Sequence, residues 1–209
     1  MSDIVDEITR MHRAVGVERT SEGERAAVLL RRRYDAEIDD VWSACTDPER
    51  LGRWFLPVTG DLRLGGKYQL KGNAGGEIRR CEPPRLLAVT WELGDYPASA
   101  VEVRLTPGDG DTELELTHTA EVDPEFWGTY GPGAVGVGWD LGLLSLGRYL
   151  RGEPIEDPEA FEGSPEAREF ATASSRAWGE ALAASGAPAE HVERAVANTT
   201  AFYAPPLPE

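Results

Sequence analysis

The stretch Gly131–Arg151, GPGAVGVGWDLGLLSLGRYLR, decides how the rest of the chain is read. Its length, its Gly131-Pro132-Gly133 entry and Gly152 just past the last apolar residue predict one long helix. On a helical wheel Ala134, Val137, Leu141 and Leu144 share one side, and Val135, Trp139, Leu143, Leu146 and Leu150 lie nearly opposite. Only a narrow strip of Gly136, Asp140, Gly147 and Arg151 reads as solvent-facing. A helix apolar on two faces needs two partners. Gly136, Gly138, Gly142 and Gly147 together weaken such a helix by roughly 4 kcal/mol relative to alanine. Close packing or room beside a ligand must offset that loss. Asp140 and Arg148 interrupt the apolar run, so a membrane span is not expected.

Upstream of this helix, closely spaced strands are predicted at Leu62–Leu64, Gly66–Lys71, Glu77–Glu82, Leu86–Leu93, Ala100–Thr106 and Thr112–Val122, with Gly- and Pro-rich turns between them. Residues of equal parity share a face. Leu87, Val89 and Trp91 therefore align, as do Val101, Val103 and Leu105, and Leu114, Leu116 and His118. An antiparallel meander with one wet face follows. Before it, Ala26–Asp35 reads as a first strand despite Arg31, Arg32 and Arg33, which are expected to be solvated charges near a strand end rather than an anion site. Two short helices come next, one from Asp39 or Asp40 and one opened by Asp47-Pro48 and closed by Trp54-Phe55-Leu56-Pro57. Ile4, Ile8, Met11 and Val15 predict an amphipathic helix over residues 3–15, followed by a polar connector.

Downstream, GEPIEDPEAFEGSPE links to a helix from Pro165 to Ser185 capped by Ser164, with a stripe of Phe170, Ala173, Ala177, Trp178, Ala181 and Leu182. Gly186-Ala187-Pro188 breaks it, and a last helix carries Val192, Val196, Thr199, Phe202 and Tyr203. These stripes are expected to cover the Trp139-Leu143-Leu146 face, in the same subunit or across a homodimer.

The net charge of −16, from 37 acidic and 21 basic residues, argues against nucleic acid and anionic membranes as partners. Cys45 and Cys81 lack any metal-ligand spacing, so neither a metal nor a disulfide framework is expected. The N-terminus has no apolar signal core, which points to a cytoplasmic location. No GxSxG, HExxH, P-loop or GxGxxG pattern occurs, and no cofactor is expected.

The segments YDAEIDDVWSACTDPERLGRWFLP (34–57), GGEIRRCEPPRLLAVTWE (75–92) and GWDLGLLSLGRYL (138–150) resemble the START-like, helix-grip superfamily. Within it they are most similar to the branch named after the C-terminal domain of the activator of heat-shock-protein-90 ATPase. The resemblance covers about residues 25–152. It implies an α+β fold, a curved antiparallel sheet wrapped around a long C-terminal helix, with an apolar cavity between them. Residues 1–24 and 153–209 are then an N-terminal helix with its connector and a helical extension. The superfamily shares no catalytic motif, so it implies a ligand class better than a reaction. The eukaryotic co-chaperones carry a further N-terminal domain that about 25 residues cannot replace, and chaperone activation is not expected.

The expected ligand-contacting residues are Trp54, Phe55, Trp91, Val103, His118, Val137 and Leu141, with Phe126, Trp127 and Tyr130 on an aromatic loop that could act as a mobile gate. Binding of a small apolar molecule without turnover is the preferred expectation. The alternatives are a polyketide cyclase or aromatase in which His118 or Asp140 handles protons, and a dimerising, co-chaperone-like interaction module.

Overall fold

Alternation forms strands at every expected stretch but Leu62–Leu64, and Asp-Pro and Ser-Pro pairs do open helices. The computed structural model describes residues 3–21 and 23–205; the outermost residues of both expected extensions, 1, 2 and 206–209, lie outside it. The first part of the chain runs α1 (Asp3–Thr9), β1 (Met11–Arg19), β2 (Glu24–Tyr34), α2 (Ile38–Thr46) and α3 (Pro48–Leu51). Six strands follow: β3 (Val58–Gly60), β4 (Lys67–Leu70), β5 (Gly75–Glu82), β6 (Leu86–Trp91), β7 (Ser99–Pro107) and β8 (Thr112–Glu121). The rest is helical: α4 (Pro124–Tyr130), α5 (Gly133–Leu150), α6 (Pro158–Glu162), α7 (Pro165–Ala184) and α8 (Ala189–Tyr203). The strands form one sheet in the order β1-β2-β8-β7-β6-β5-β4-β3, with antiparallel pairing from β8 through to β3. This is the expected α+β, helix-grip class.

The described residues fall into two compact units. A helical unit draws on Met1–Leu30, Val122–Leu144 and Ile155–Glu209, and a sheet unit on Arg31–Glu121 and Ser145–Pro154. Both β2 and α5 contribute to each unit.

In the helical unit, α7 packs against α1, β1 and α8, and α4 packs against α8. Phe170, Trp178 and Leu182 of the predicted α7 stripe are buried. Ser164 caps α7 by accepting from the Ala167 amide at 3.1 Å. The helix expected over 3–15 ends at Thr9, and residues 11–19 are the strand β1. The β-branched Val15 and Val17, with Gly16 between them, disfavour a continuing helix and suit a strand. Ile4, Ile8 and Met11 are nevertheless buried as the stripe predicted.

In the sheet unit the register sets Leu87, Val103 and Leu116 side by side, then Val89, Val101 and His118. The predicted shared face is therefore formed. Residues 62–64 are not a strand: the chain turns there, with Gly66 N–H donating to Arg63 O at 2.8 Å, and β3 lies upstream. Gly65 sits at a φ of +77°, a left-handed geometry suited to glycine, so the Leu62-Leu64 alternation belongs to a turn and both leucines are exposed.

The largest correction concerns α5. No residue between Gly131 and Leu150 is exposed, and Asp140, Gly136 and Gly147 of the supposed wet strip are buried. A Cβ on Gly136 would collide with the indole of Trp178, and one on Gly133 would meet Thr199 Oγ1 at 2.5 Å. Within the sheet unit, a Cβ on Gly147 would come within 2.7 Å of the Arg32 guanidinium. At these positions the glycines serve close packing, and α7 and α8 approach α5 through Gly133, Gly136, Gly138 and Asp140. Wheel geometry alone misreads such a strip because glycine carries no hydropathy signal and Asp140 Oδ2 is held by donors distant in sequence.

Candidate functional site

The expected site residues divide between the two units. Of those in the sheet unit, Trp54 is fixed at both ends. Its indole Nε1 donates to Ala44 O at 2.9 Å, and its own carbonyl accepts from Ser145 Oγ at 2.6 Å. The Trp54 and Phe55 rings lie 5.4 Å apart. Phe55 and Trp91 both pack on a buried cluster of Tyr68, Leu70 and Ile78. Leu51, Leu56, Val58, Leu87 and Val89 surround the same cluster and, like Phe55 and Trp91, are only half-buried. Val103 is half-buried beside Leu87.

His118 stands at the edge of this face. Its ring centroid is 6.1 Å from that of Trp91, and its Nε2 is 2.8 Å from Ser99 Oγ. Ser99 is the register partner of Trp91, and its hydroxyl also lies 3.0 Å from Trp91 O. One hydroxyl carries one proton. Both contacts are satisfied together when His118 Nε2–H donates to Ser99 Oγ while Ser99 donates to the Trp91 carbonyl. Burial lowers the His118 pKa from 6.5 to about 4, so the imidazole is neutral at physiological pH. The parity argument placed His118 on this face; Ser99, its partner, is a residue that sequence reading missed.

The helical unit holds the other candidates. Phe126, Trp127 and Tyr130 belong to α4, a helix where a mobile loop was expected. Asp123 caps it, its Oδ1 accepting from the Glu125 and Phe126 amides at 2.9 and 3.0 Å, and Pro124 occupies the first turn. The end of α4 is held as firmly, because side chains of α8 reach the carbonyls of its last turn, most of which a helix terminus leaves without a backbone donor. His191 Nε2 lies 3.0 Å from Trp127 O, Arg194 Nε donates to Gly128 O at 2.9 Å, and Asn198 Nδ2 donates to Thr129 O at 3.0 Å. Thr199 Oγ1 donates to Tyr130 O at 3.3 Å. Phe126 packs against Tyr130 at a tilt, and Tyr130 meets Phe202 edge-to-face. Tyr130 also borders a shallow crevice with Trp178, Leu182 and Val196 that has no enclosed room even for a water-sized molecule. Val137 is fully buried core, and Leu141 is half-buried.

Asp140 is also in the helical unit and is fully buried. Its Oδ2 accepts from Arg13 Nε at 2.9 Å, Ser174 Oγ at 2.5 Å and Trp178 Nε1 at 3.1 Å. Burial raises the carboxyl pKa, while Arg13 and the two neutral donors oppose that rise. This places Asp140 at the junction of β1, α5 and α7. Among the described residues no group of three or more His, Cys, Asp or Glu side chains is arranged to hold a metal ion, and no helix is long and apolar enough to cross a membrane.

Comparison with known proteins places this geometry. CalU16 from Micromonospora echinospora, in its crystal structure, is 42% identical, with 84% of this chain and 97% of that one covered and a TM-score of 0.66. Its solution NMR structure gives 40% identity, coverage of 84% and 96%, and a TM-score of 0.69. DynU16, a protein in the dynemicin biosynthetic locus, is 26% identical over 63% of this chain and 49% of that one, with a TM-score of 0.57. No curated protein matches the chain. Residues 35–151 match the family described as Activator of Hsp90 ATPase homolog 1-like protein. With that match spanning more than half of its length and lying inside the sheet and long-helix order described above, the chain belongs to the activator of Hsp90 ATPase homolog 1-like family, on the START-like fold.

Proposed function

We propose that the protein binds a small, largely apolar molecule against the inner face of its sheet unit, without a covalent step. The observation that carries this reading is the apolar cluster around Tyr68, Leu70 and Ile78. Three buried side chains are ringed by seven partly buried ones, Phe55, Leu87, Val89 and Trp91 among them. Covering such a surface removes apolar area from water at about 25 cal/mol per Å². The neutral His118, tied to Ser99, supplies a polar handle that would orient a ligand hydroxyl or carbonyl. The place of DynU16 in a biosynthetic locus favours a secondary metabolite or its precursor as the ligand. The aromatics of α4 lie in a helix clamped at both ends, which supports a fixed wall rather than a gate for that segment.

The test is native mass spectrometry of protein taken directly from its source cells, followed by thermal-shift titration with apolar polycyclic compounds. A retained small molecule, or a concentration-dependent rise in melting temperature that Leu87→Gln removes, is the expected result. No retained mass and no shift, or a shift unchanged in Leu87→Gln, would defeat the proposal.

The His118–Ser99 contact favours a second reading, a cyclase-like enzyme in which His118 accepts a proton from the bound molecule. Under that reading His118→Gln abolishes turnover while leaving binding in place.

A further inference from the structure

Asp140 is used unevenly. Its Oδ2 is crowded by Arg13, Ser174 and Trp178, whereas its Oδ1 is buried and makes no hydrogen bond to the protein. Arg13 is uneven in the same way. Its Nε donates to Asp140 Oδ2, and its Nη1 donates to the carbonyls of Ile8 and Met11, each at 3.1 Å. Its Nη2 is buried and makes none. The side chains are 6% and 0% exposed, so bulk water does not reach the pair.

The planar guanidinium sets Nη2 beside Nε on one edge, the edge that grips a carboxylate with two parallel prongs. Here one prong is engaged and the second is open at both its donor and its acceptor. A buried orphan donor and a buried orphan acceptor each lose hydration without compensation. The group that satisfies both must accept from a guanidinium and donate to a carboxylate. An anion would be repelled by Asp140 and a cation by Arg13. A neutral hydroxyl fits.

We propose that Arg13 Nη2 and Asp140 Oδ1 form an internal hydroxyl-binding site in the helical unit, where one oxygen bridges the second prong of the ion pair. A bound water and the hydroxyl of a small molecule share this chemistry. The site is separate from the apolar face of the sheet unit, and neither it nor its test depends on the ligand reading above. It joins β1, α5 and α7 at a point where a direct two-pronged contact would otherwise be expected.

A high-resolution crystal structure of the full chain tests the inference. The expected result is an oxygen within hydrogen-bond distance of both Arg13 Nη2 and Asp140 Oδ1. An isolated peak identifies water, and density continuous with a larger molecule, matched by mass spectrometry of the same sample, identifies a ligand hydroxyl. In solution, a long-lived occupant gives NOE cross-peaks to the Arg13 guanidinium and Trp178 indole protons. Arg13→Lys keeps the positive charge but removes the second prong, so it should abolish the occupant's long residence while the fold persists. A closed two-pronged ion pair, or an Oδ1 and Nη2 with no common oxygen neighbour, would overturn the site.

Discussion

The helical and sheet units use buried polar groups to opposite ends. In the helical unit, Arg13, Ser174 and Trp178 converge on one carboxylate oxygen of Asp140, and α8 side chains meet the last carbonyls of α4. In the sheet unit the polar pair His118–Ser99 lies beside apolar side chains that remain half-buried. Buried polar networks rigidify when satisfied, because each misplacement strands a desolvated group. Half-covered apolar surface carries no such directional demand and can accept another molecule. The difference separates a unit tied together by directional polar contacts from one whose apolar face stays half covered.

Equivalent truncations should expose that contrast. Trp178→Ala removes a fully buried ring and one donor to Asp140, and is expected to destabilise the protein by about 3–5 kcal/mol in denaturant unfolding. A loss no larger than that of a half-buried sheet residue would erase the distinction.

Acidification should act on the two units with opposite signs. His118 has a folded pKa of about 4 against an ordinary 6.5. Above pH 6.5 both folded and unfolded forms are neutral; below it the unfolded chain takes up the proton first. Stability is therefore lost between about pH 6.5 and 4, by at most about 3 kcal/mol. Asp140, whose pKa is raised, favours the folded state as its proton binds and opposes this loss. Unfolding midpoints measured across that range should fall less steeply in His118→Gln than in the parent; identical slopes would remove His118 from the account.

The smallest effect is expected from Leu87→Ala in the sheet unit. Because Leu87 is half-buried, the loss should be about 1 kcal/mol, below the 2–5 kcal/mol of a fully enclosed leucine. A loss at the upper end of that range would mean the apolar face is already filled core, and the ligand reading would lose its support.

Much of the fold is written in local signals. Asp47-Pro48 and Ser164-Pro165 were legible as helix starts because the cap side chain and the proline act within one turn. The same Asp-Pro signature stands at Asp123-Pro124 and Asp157-Pro158, where α4 and α6 begin, yet the glycines and aromatics that follow Pro124 concealed a helix. In the candidate site, the parity of β8 placed His118 on its face, but Ser99 lies 19 residues away and meets it only through strand pairing. Arg13 is further still from Asp140, 127 residues upstream in a segment that periodicity had assigned to a helix.

What the sequence determined by itself is β2 and the two short helices after it, the strands β4 to β8, the helices α5, α7 and α8, the apolar parity of the sheet and the two-sided burial of α5, whereas β1, β3, α4 and α6 came only with the structure. The former depend on side-chain spacing and on caps, which act over a few residues. Only the tertiary structure decided that Gly136, Asp140 and Gly147 of α5 are buried rather than solvent-facing. Trp178 fits against Gly136, and Arg13, Ser174 and Trp178 compensate the buried charge of Asp140. A carboxylate reads as wet until its donors are known, and those donors come from segments that only folding brings together.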